Sequence, residues 1–217
     1  MKHLGILIPS SNVVIEPLAA KAQALDSNLR IYVSRLGVLD VKLAAGSRAQ
    51  FQIETQINAA KLLIDAKVDR IIWGGTSASW LGIAQDIAFI EGMKLVTSVP
   101  VTSCVIEINR GLAKIGAKRL GMVTPYTDDV AAQINQNYTD MGFEIVAFRN
   151  DGGDLSHDFA AIKPDAIECM IRSVAAENVD GIIIMCTNVA GAVVAERLEK
   201  ELNVPIFDSA TVSLKAF

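Results

Sequence analysis

Histidine and cysteine are scarce in this 217-residue chain: two of the first and three of the second. Two histidines give little material for a His-rich metal site or a His-centred catalytic triad. Cys104, Cys169 and Cys186 are odd in number and lack metal-ligand spacing. That argues against a disulfide framework and for a reducing compartment, with the cytoplasm as the default. No basic run exists either. The 20 basic and 24 acidic residues are mixed along the chain for a net charge of −4, so neither nucleic acid nor an anionic membrane is an expected partner. The longest uncharged stretches, Ile71 to Gln85 and Gly181 to Ala195, have 15 residues each. A bilayer-spanning helix needs about 20 apolar residues, and both stretches are interrupted by Gly, Thr, Ser or Asn. They read as buried strands running into loops. Met1-Lys2-His3 leads directly into a strand-like run, so no signal sequence is expected. With 51% hydrophobic and 20% charged residues, global disorder is excluded. A chain of this length buries roughly 70% of its unfolded surface in an ordinary core.

What the chain does have is an internal repeat. His3-Leu4-Gly5-Ile6-Leu7-Ile8-Pro9 matches Arg119-Leu120-Gly121-Met122-Val123-Thr124-Pro125, and Val68-Asp69-Arg70-Ile71-Ile72 matches Val179-Asp180-Gly181-Ile182-Ile183. Leu95 to Pro100 pairs with the region around Val204-Pro205-Ile206, and the offsets run 116, 111 and 105. Helical spacing lies between: Ile53, Ile57, Ala60 and Ile64; Val130, Ile134, Tyr138 and Met141; Val194, Leu198 and Leu202. Arg30 to Leu36 and Phe143 to Phe148 supply a second strand to each half. The pattern predicts an α/β fold of two pseudo-symmetric doubly wound halves, about 1–116 and 117–217, forming one unit. Each half is a four-stranded parallel sheet flanked by helices, with the site in the cleft between them. The last helical pattern runs to the end, at Lys215-Ala216-Phe217, where it reads as cut short or packed on a partner. Homo-oligomerisation is left open.

Ligands of such sheets bind beyond the carboxyl ends of the strands. The repeat therefore nominates four loops: Pro9-Ser10-Ser11-Asn12, Gly74-Gly75-Thr76-Ser77-Ala78-Ser79, Pro125-Tyr126-Thr127-Asp128 and Cys186-Thr187-Asn188. It sets Gly75 opposite Cys186 and Thr76 opposite Thr187. Small hydroxyl and amide residues ahead of helices serve as N-caps, and helix N-termini also attract anions. Two such ends would cradle a carboxylate. Cys186, just ahead of an expected helix start, should have a pKa below the free value of about 8.5, fit to move a proton or attack as a nucleophile. Cys104 and Cys169 sit in helical patterns and read as core residues. Tyr126 is placed to donate to a bound carboxylate. His157, in the polar stretch Asp151 to Asp158, reads as a solvated loop residue.

These motifs together resemble the aspartate/glutamate racemase superfamily, in the branch holding arylmalonate decarboxylase and maleate cis-trans isomerase. The resemblance spans Leu4 to about Ser213. It is carried by Gly5-Ile6-Leu7-Ile8-Pro9, Gly75-Thr76-Ser77-Ala78-Ser79, Tyr126-Thr127-Asp128-Asp129 and Cys186-Thr187-Asn188. Racemising and isomerising members use two cysteines, one from each half. The second falls on Cys186 and the first on Gly75, which has no thiol. That combination resembles the decarboxylase branch. The resemblance implies a cofactor- and metal-free lyase acting on a substituted malonate. Cys186 would protonate the enediolate, and Thr76, Ser77, Tyr126 and the backbone after Cys186, at Thr187, would hold the surviving carboxylate. Pro9 would line the pocket, and Val38, Leu39 and Val41 would wall it. Pro9-Ser10-Ser11-Asn12 is more similar to the isomerase pattern, in which the residue matching Asn12 contacts a carboxylate. A smaller or more polar diacid is therefore as compatible as an aryl one. Isomerase-like or racemase-like chemistry on a small acid is the first alternative. A non-catalytic acid-binding protein, or a two-lobed small-ligand receptor, is the second.

Overall fold

The computed structural model describes residues 1–215. The first half runs β1 (Lys2–Pro9), α1 (Ile15–Leu25), β2 (Leu29–Leu36), α2 (Ala45–Arg48), α3 (Ile53–Asp65), β3 (Arg70–Trp73), α4 (Ala78–Leu81), α5 (Ala84–Lys94), β4 (Val101–Ser103) and α6 (Cys104–Ile115). The second runs β5 (Arg119–Tyr126), α7 (Asp128–Asp140), β6 (Glu144–Gly153), α8 (Pro164–Ala175), β7 (Gly181–Ile184), α9 (Ala192–Leu202), β8 (Ile206–Asp208) and α10 (Ser209–Leu214). The expected final helix is seen as far as Leu214; Ala216 and Phe217 lie outside the described residues.

The strands form two four-stranded parallel sheets of order β2-β1-β3-β4 and β6-β5-β7-β8. The repeat is reproduced in the register. Gly5 pairs with Ile71 and Ile71 with Val101; Gly121 pairs with Ile182 and Ile182 with Ile206. The two glycines have a packing reason. A Cβ on Gly5 would sit 3.1 Å from Leu63 of α3, and one on Gly121 would sit 2.9 Å from Val174 of α8. Their absence lets each helix seat closely on its central strand.

Strand order reverses between β1 and β3, and again between β5 and β7, so a ligand crevice opens at their carboxyl ends. The halves share one core. Val105, Ile108 and Leu112 of α6 cluster with Leu120, Ile182 and Ile184 of the second sheet. Helix α6 shows why the local sequence folds as it does. Its buried residues are Cys104, Val105, Ile108 and Leu112, an i, i+1, i+4, i+8 stripe. Ser103 Oγ caps it by accepting from the Ile106 amide at 3.1 Å, and Gly116 ends it in the left-handed region at φ 68°. The Cys104 thiol donates to the Ser209 carbonyl across the halves at 3.2 Å. Cys169 differs from expectation: it is exposed, because it falls off the Ile167, Ile171, Val174 stripe of α8.

Candidate active site

Seven of the eight residues nominated from the sequence line one cavity at the carboxyl ends of the central strands: Pro9, Gly75, Thr76, Ser77, Tyr126, Cys186 and Thr187. Its volume is about 30 Å³, room for one or two waters. Both halves supply it, as the facing of Gly75 and Cys186 requires.

The second-half side holds the reactive group. Cys186 follows β7 and is buried. Its Sγ accepts from the Asn188 amide at 3.4 Å, and the Tyr126 hydroxyl beside it favours the thiolate form. Tyr126, at the end of β5, shares a 2.9 Å hydrogen bond with Thr76 Oγ1. The row Thr76–Tyr126–Cys186 therefore runs from the first half to the thiol. The expected lowering of the Cys186 pKa does not occur. Burial pushes it up to about 11, outweighing the Tyr126 and Asn188 donors. Helix α9 begins only at Ala192, and the loop between keeps its N-terminus from acting on the sulfur. The first-half counterpart is weaker still, since α4 is a single turn, Ala78–Leu81. Dipoles of converging helix ends do not dominate here. Burial also raises the Tyr126 phenol well above its ordinary value, and the Cys186 sulfur adds to this. At neutral pH both groups are protonated donors.

Thr187 and Asn12 do a different job. The Thr187 hydroxyl donates to the Gly74 carbonyl at 2.9 Å and accepts from Asn12 Nδ2 at 3.1 Å. Asn12 Oδ1 accepts from the Val14 and Ile15 amides at 3.0 Å, capping α1. Asn12 is fully buried and stands behind the cavity rather than in its wall. Its Nδ2 joins the halves and its Oδ1 is taken up by the start of α1.

A strap roofs the cavity. Residues 37–52 meet residues 154–159 through a bridge of Asp40 and Leu155, with Val41 N–H to Asp154 O at 3.0 Å and Ser156 N–H to Leu39 O at 3.1 Å. A Lys42–Asp154 ion pair at 3.0 Å lies outside. Asn188 Nδ2 donates to Ser156 O at 2.6 Å, and Asn188 Oδ1 accepts from Val13 N–H at 2.9 Å. Val38 and Val41 face the cavity as expected; Leu39 is 71% exposed and does not. His157 is exposed and outside the cavity.

The sequence reading missed an aromatic wall. Trp73, Phe51 and Trp80 line the first-half side, with Phe51 edge-on to Trp73 at 6.5 Å and to Trp80 at 5.4 Å. Phe159 stands edge-on to Tyr126 at 5.4 Å. The available signal was that both tryptophans flank the Gly74-Gly75 loop; nothing local marked Phe51 or Phe159. No cluster of histidine, cysteine or carboxylate side chains suited to a metal exists among the described residues.

With this geometry in hand, comparison with known proteins is direct. The sequence profile of the family described as arylmalonate decarboxylase matches residues 4–216. A maleate isomerase from Nocardia farcinica is 22% identical over 222 residues, covering 97% of this chain and 86% of the relative. An arylmalonate decarboxylase from Bordetella bronchiseptica is 24% identical over 161 residues, covering 73% and 67%. Among solved structures, a cysteine-to-serine mutant of the Nocardia farcinica isomerase with a covalently bound succinylcysteine intermediate superposes with TM-score 0.87 at 19% identity, covering 98% of this chain and 89% of that one. Unliganded arylmalonate decarboxylase gives 0.78 at 21% identity, covering 99% and 90%.

Proposed function

We propose, from the premise that the chain belongs to the arylmalonate decarboxylase family, that it is a cofactor-independent decarboxylase of a substituted malonate-type diacid. The observation that carries this reading is that one thiol, Cys186, lines the cavity while the repeat-related position 75, also in its lining, is a glycine. In the reaction the bond between the α-carbon and one carboxylate breaks, and carbon dioxide leaves. Its electron pair passes to the α-carbon and the remaining carboxylate as an enediolate. The Thr76 and Tyr126 hydroxyls and the Ser77 hydroxyl, all buried and cavity-lining, stabilise that charge as preorganised donors. The Cys186 S–H bond then breaks, and its proton goes to the α-carbon. The thiolate left behind is held by the Tyr126 hydroxyl and the Asn188 amide, and regains a proton after product release. A thiol kept neutral by burial suits proton donation.

The same observation weighs against the isomerase alternative. Chemistry through a cysteine adduct needs a nucleophilic thiolate, whereas burial holds the Cys186 thiol neutral and position 75 has no sulfur. The test is to incubate the purified protein with substituted malonates, maleate and amino acids in deuterium oxide and follow them by NMR. Deuterated monoacid from a malonate supports the proposal. Fumarate from maleate, or exchange into an amino acid without decarboxylation, refutes it.

A further inference from the structure

We propose, resting on the decarboxylase reading above, that Trp73 decides both the face of protonation and the size of substituent that the site accepts. Its indole fills the volume beside Gly75 in which a second proton donor or a bulky group would sit. A Cβ built on Gly75 would lie 2.3 Å from Cζ2, 2.6 Å from Cε2 and 2.8 Å from Cη2 of Trp73. These distances are far inside contact, and the atoms belong to the six-membered ring. Glycine is therefore the residue that position 75 admits while the indole is in place. The missing first-half thiol is a space already occupied.

The indole has no freedom to give way. Trp73 is fully buried, its Nε1–H donates to Ser77 Oγ at 3.3 Å, and Phe51 packs edge-on against it. It sits at the end of β3, paired to β1 and β4. Phe51, Val38 and Val41 come from the loop strap, whereas Trp73 belongs to the sheet. Two consequences follow. On the Gly75 side an intermediate meets ring carbons, which carry no exchangeable proton, so the proton arrives from Cys186 alone. The cavity, about 30 Å³, compares with roughly 150 Å³ for an engineered cavity that admits benzene. The Trp73 indole bounds it beside Gly75, so the substituent on the first-half side is small and aliphatic.

A thermal double-mutant cycle tests the steric claim without any substrate. Gly75→Ala should lower the melting temperature by roughly 5 °C, as overpacking does in a chain of this size. Added to Trp73→Leu, the same change should cost less than about 1 °C. Equal losses in both backgrounds overturn the claim; Trp73→Phe serves as the second background if Trp73→Leu does not fold. The functional arm compares phenylmalonate with methylmalonate. Trp73→Leu should raise the ratio of their rates about tenfold or more, and Gly75→Cys in that background should yield mixed enantiomers from 2-ethyl-2-methylmalonate. An unchanged ratio, or a single enantiomer, overturns the proposal. If the unaltered protein decarboxylates none of these diacids, the functional reading falls while the melting cycle still judges Trp73.

Discussion

At Cys186 two influences compete, and their magnitudes decide the chemistry. Hydrogen bonds from Tyr126 and Asn188 favour the thiolate, but burial favours the thiol and wins, leaving its pKa near 11. The residue is thus a reservoir of one proton rather than a resting nucleophile. Cys186→Ala should reduce product formation from a verified substrate to background. The protein should still melt within a few degrees of wild type, because a small apolar side chain replaces a small buried one; retained turnover would refute its role. Tyr126→Phe and Thr76→Ala each remove a donor from the hydroxyl chain and should each lower kcat on the order of 10²-fold. The Tyr126 change carries a second readout: with that donor gone, the pH profile of Cys186 alkylation should shift upward. Wild-type kcat in both variants would show that the Thr76–Tyr126–Cys186 chain does not stabilise the reacting charge.

Elements meet at this site through loops rather than through helix ends. The strap of residues 37–52 and 154–159 closes over strand termini that are themselves rigid, and Asn188 ties three loops by its bonds to Val13, Ser11 and Ser156. Asn188→Ala leaves those backbone groups unpaired. A cost of about 1–3 kcal/mol follows for a buried unsatisfied group, which reads as a melting temperature lower by several degrees. KM should rise more than kcat falls, since the loosened strap holds the substrate less well. If Asn188→Ala changed kcat alone, the residue would belong to the chemistry instead. The bonds to Val13 and Ser11 reach 175 and 177 positions along the chain, so no local pattern announces them. The strap was legible in part: Val38, Leu39 and Val41 were nominated because they follow β2, and of these only Leu39 turns outward.

The whole molecule carries its largest electrostatic strain away from the cleft contacts. Asp86 of α5 is fully buried, and its oxygens accept no hydrogen bond of normal geometry. Burial raises its pKa from 3.8 to about 7, opposed only by the Ser103 hydroxyl. Asp208 is raised to about 6 for the same reason, despite capping α10 through Thr211. A carboxyl raised on folding binds its proton more tightly in the native state than in the unfolded one. Stability is therefore highest below pH 4 for this term and falls as pH rises through about 7. The full loss from Asp86 is on the order of 4 kcal/mol. Asp86→Asn should stabilise the protein at pH 8 and change little at pH 4.5, as followed by denaturant melts at both values; equal effects at both would refute the assignment. Exposed carboxylates such as Glu168, held below their usual range by Arg197 and Arg172, are screened by solvent and offset little of this slope.

The repeat at offsets of 116, 111 and 105, with its alternation of apolar runs and helical stripes, determined by itself the two parallel sheets and the four loops at the strand ends. Periodicity and chain order are local properties, and parallel sheets must expose their carboxyl ends together. The same repeat set Gly75 opposite Cys186. It did not reveal that Asn12 and Thr187 bond to each other and to nearby backbone, nor that the Cys186 thiol is kept neutral, because desolvation depends on what packs around an atom. Nor did it reveal that glycine at position 75 answers to Trp73, two residues earlier at the end of β3. Both residues were in plain view in the sequence. Whether an indole turns away from its neighbour or lies across it is decided by Phe51 and Ser77, which only the folded chain brings against the ring.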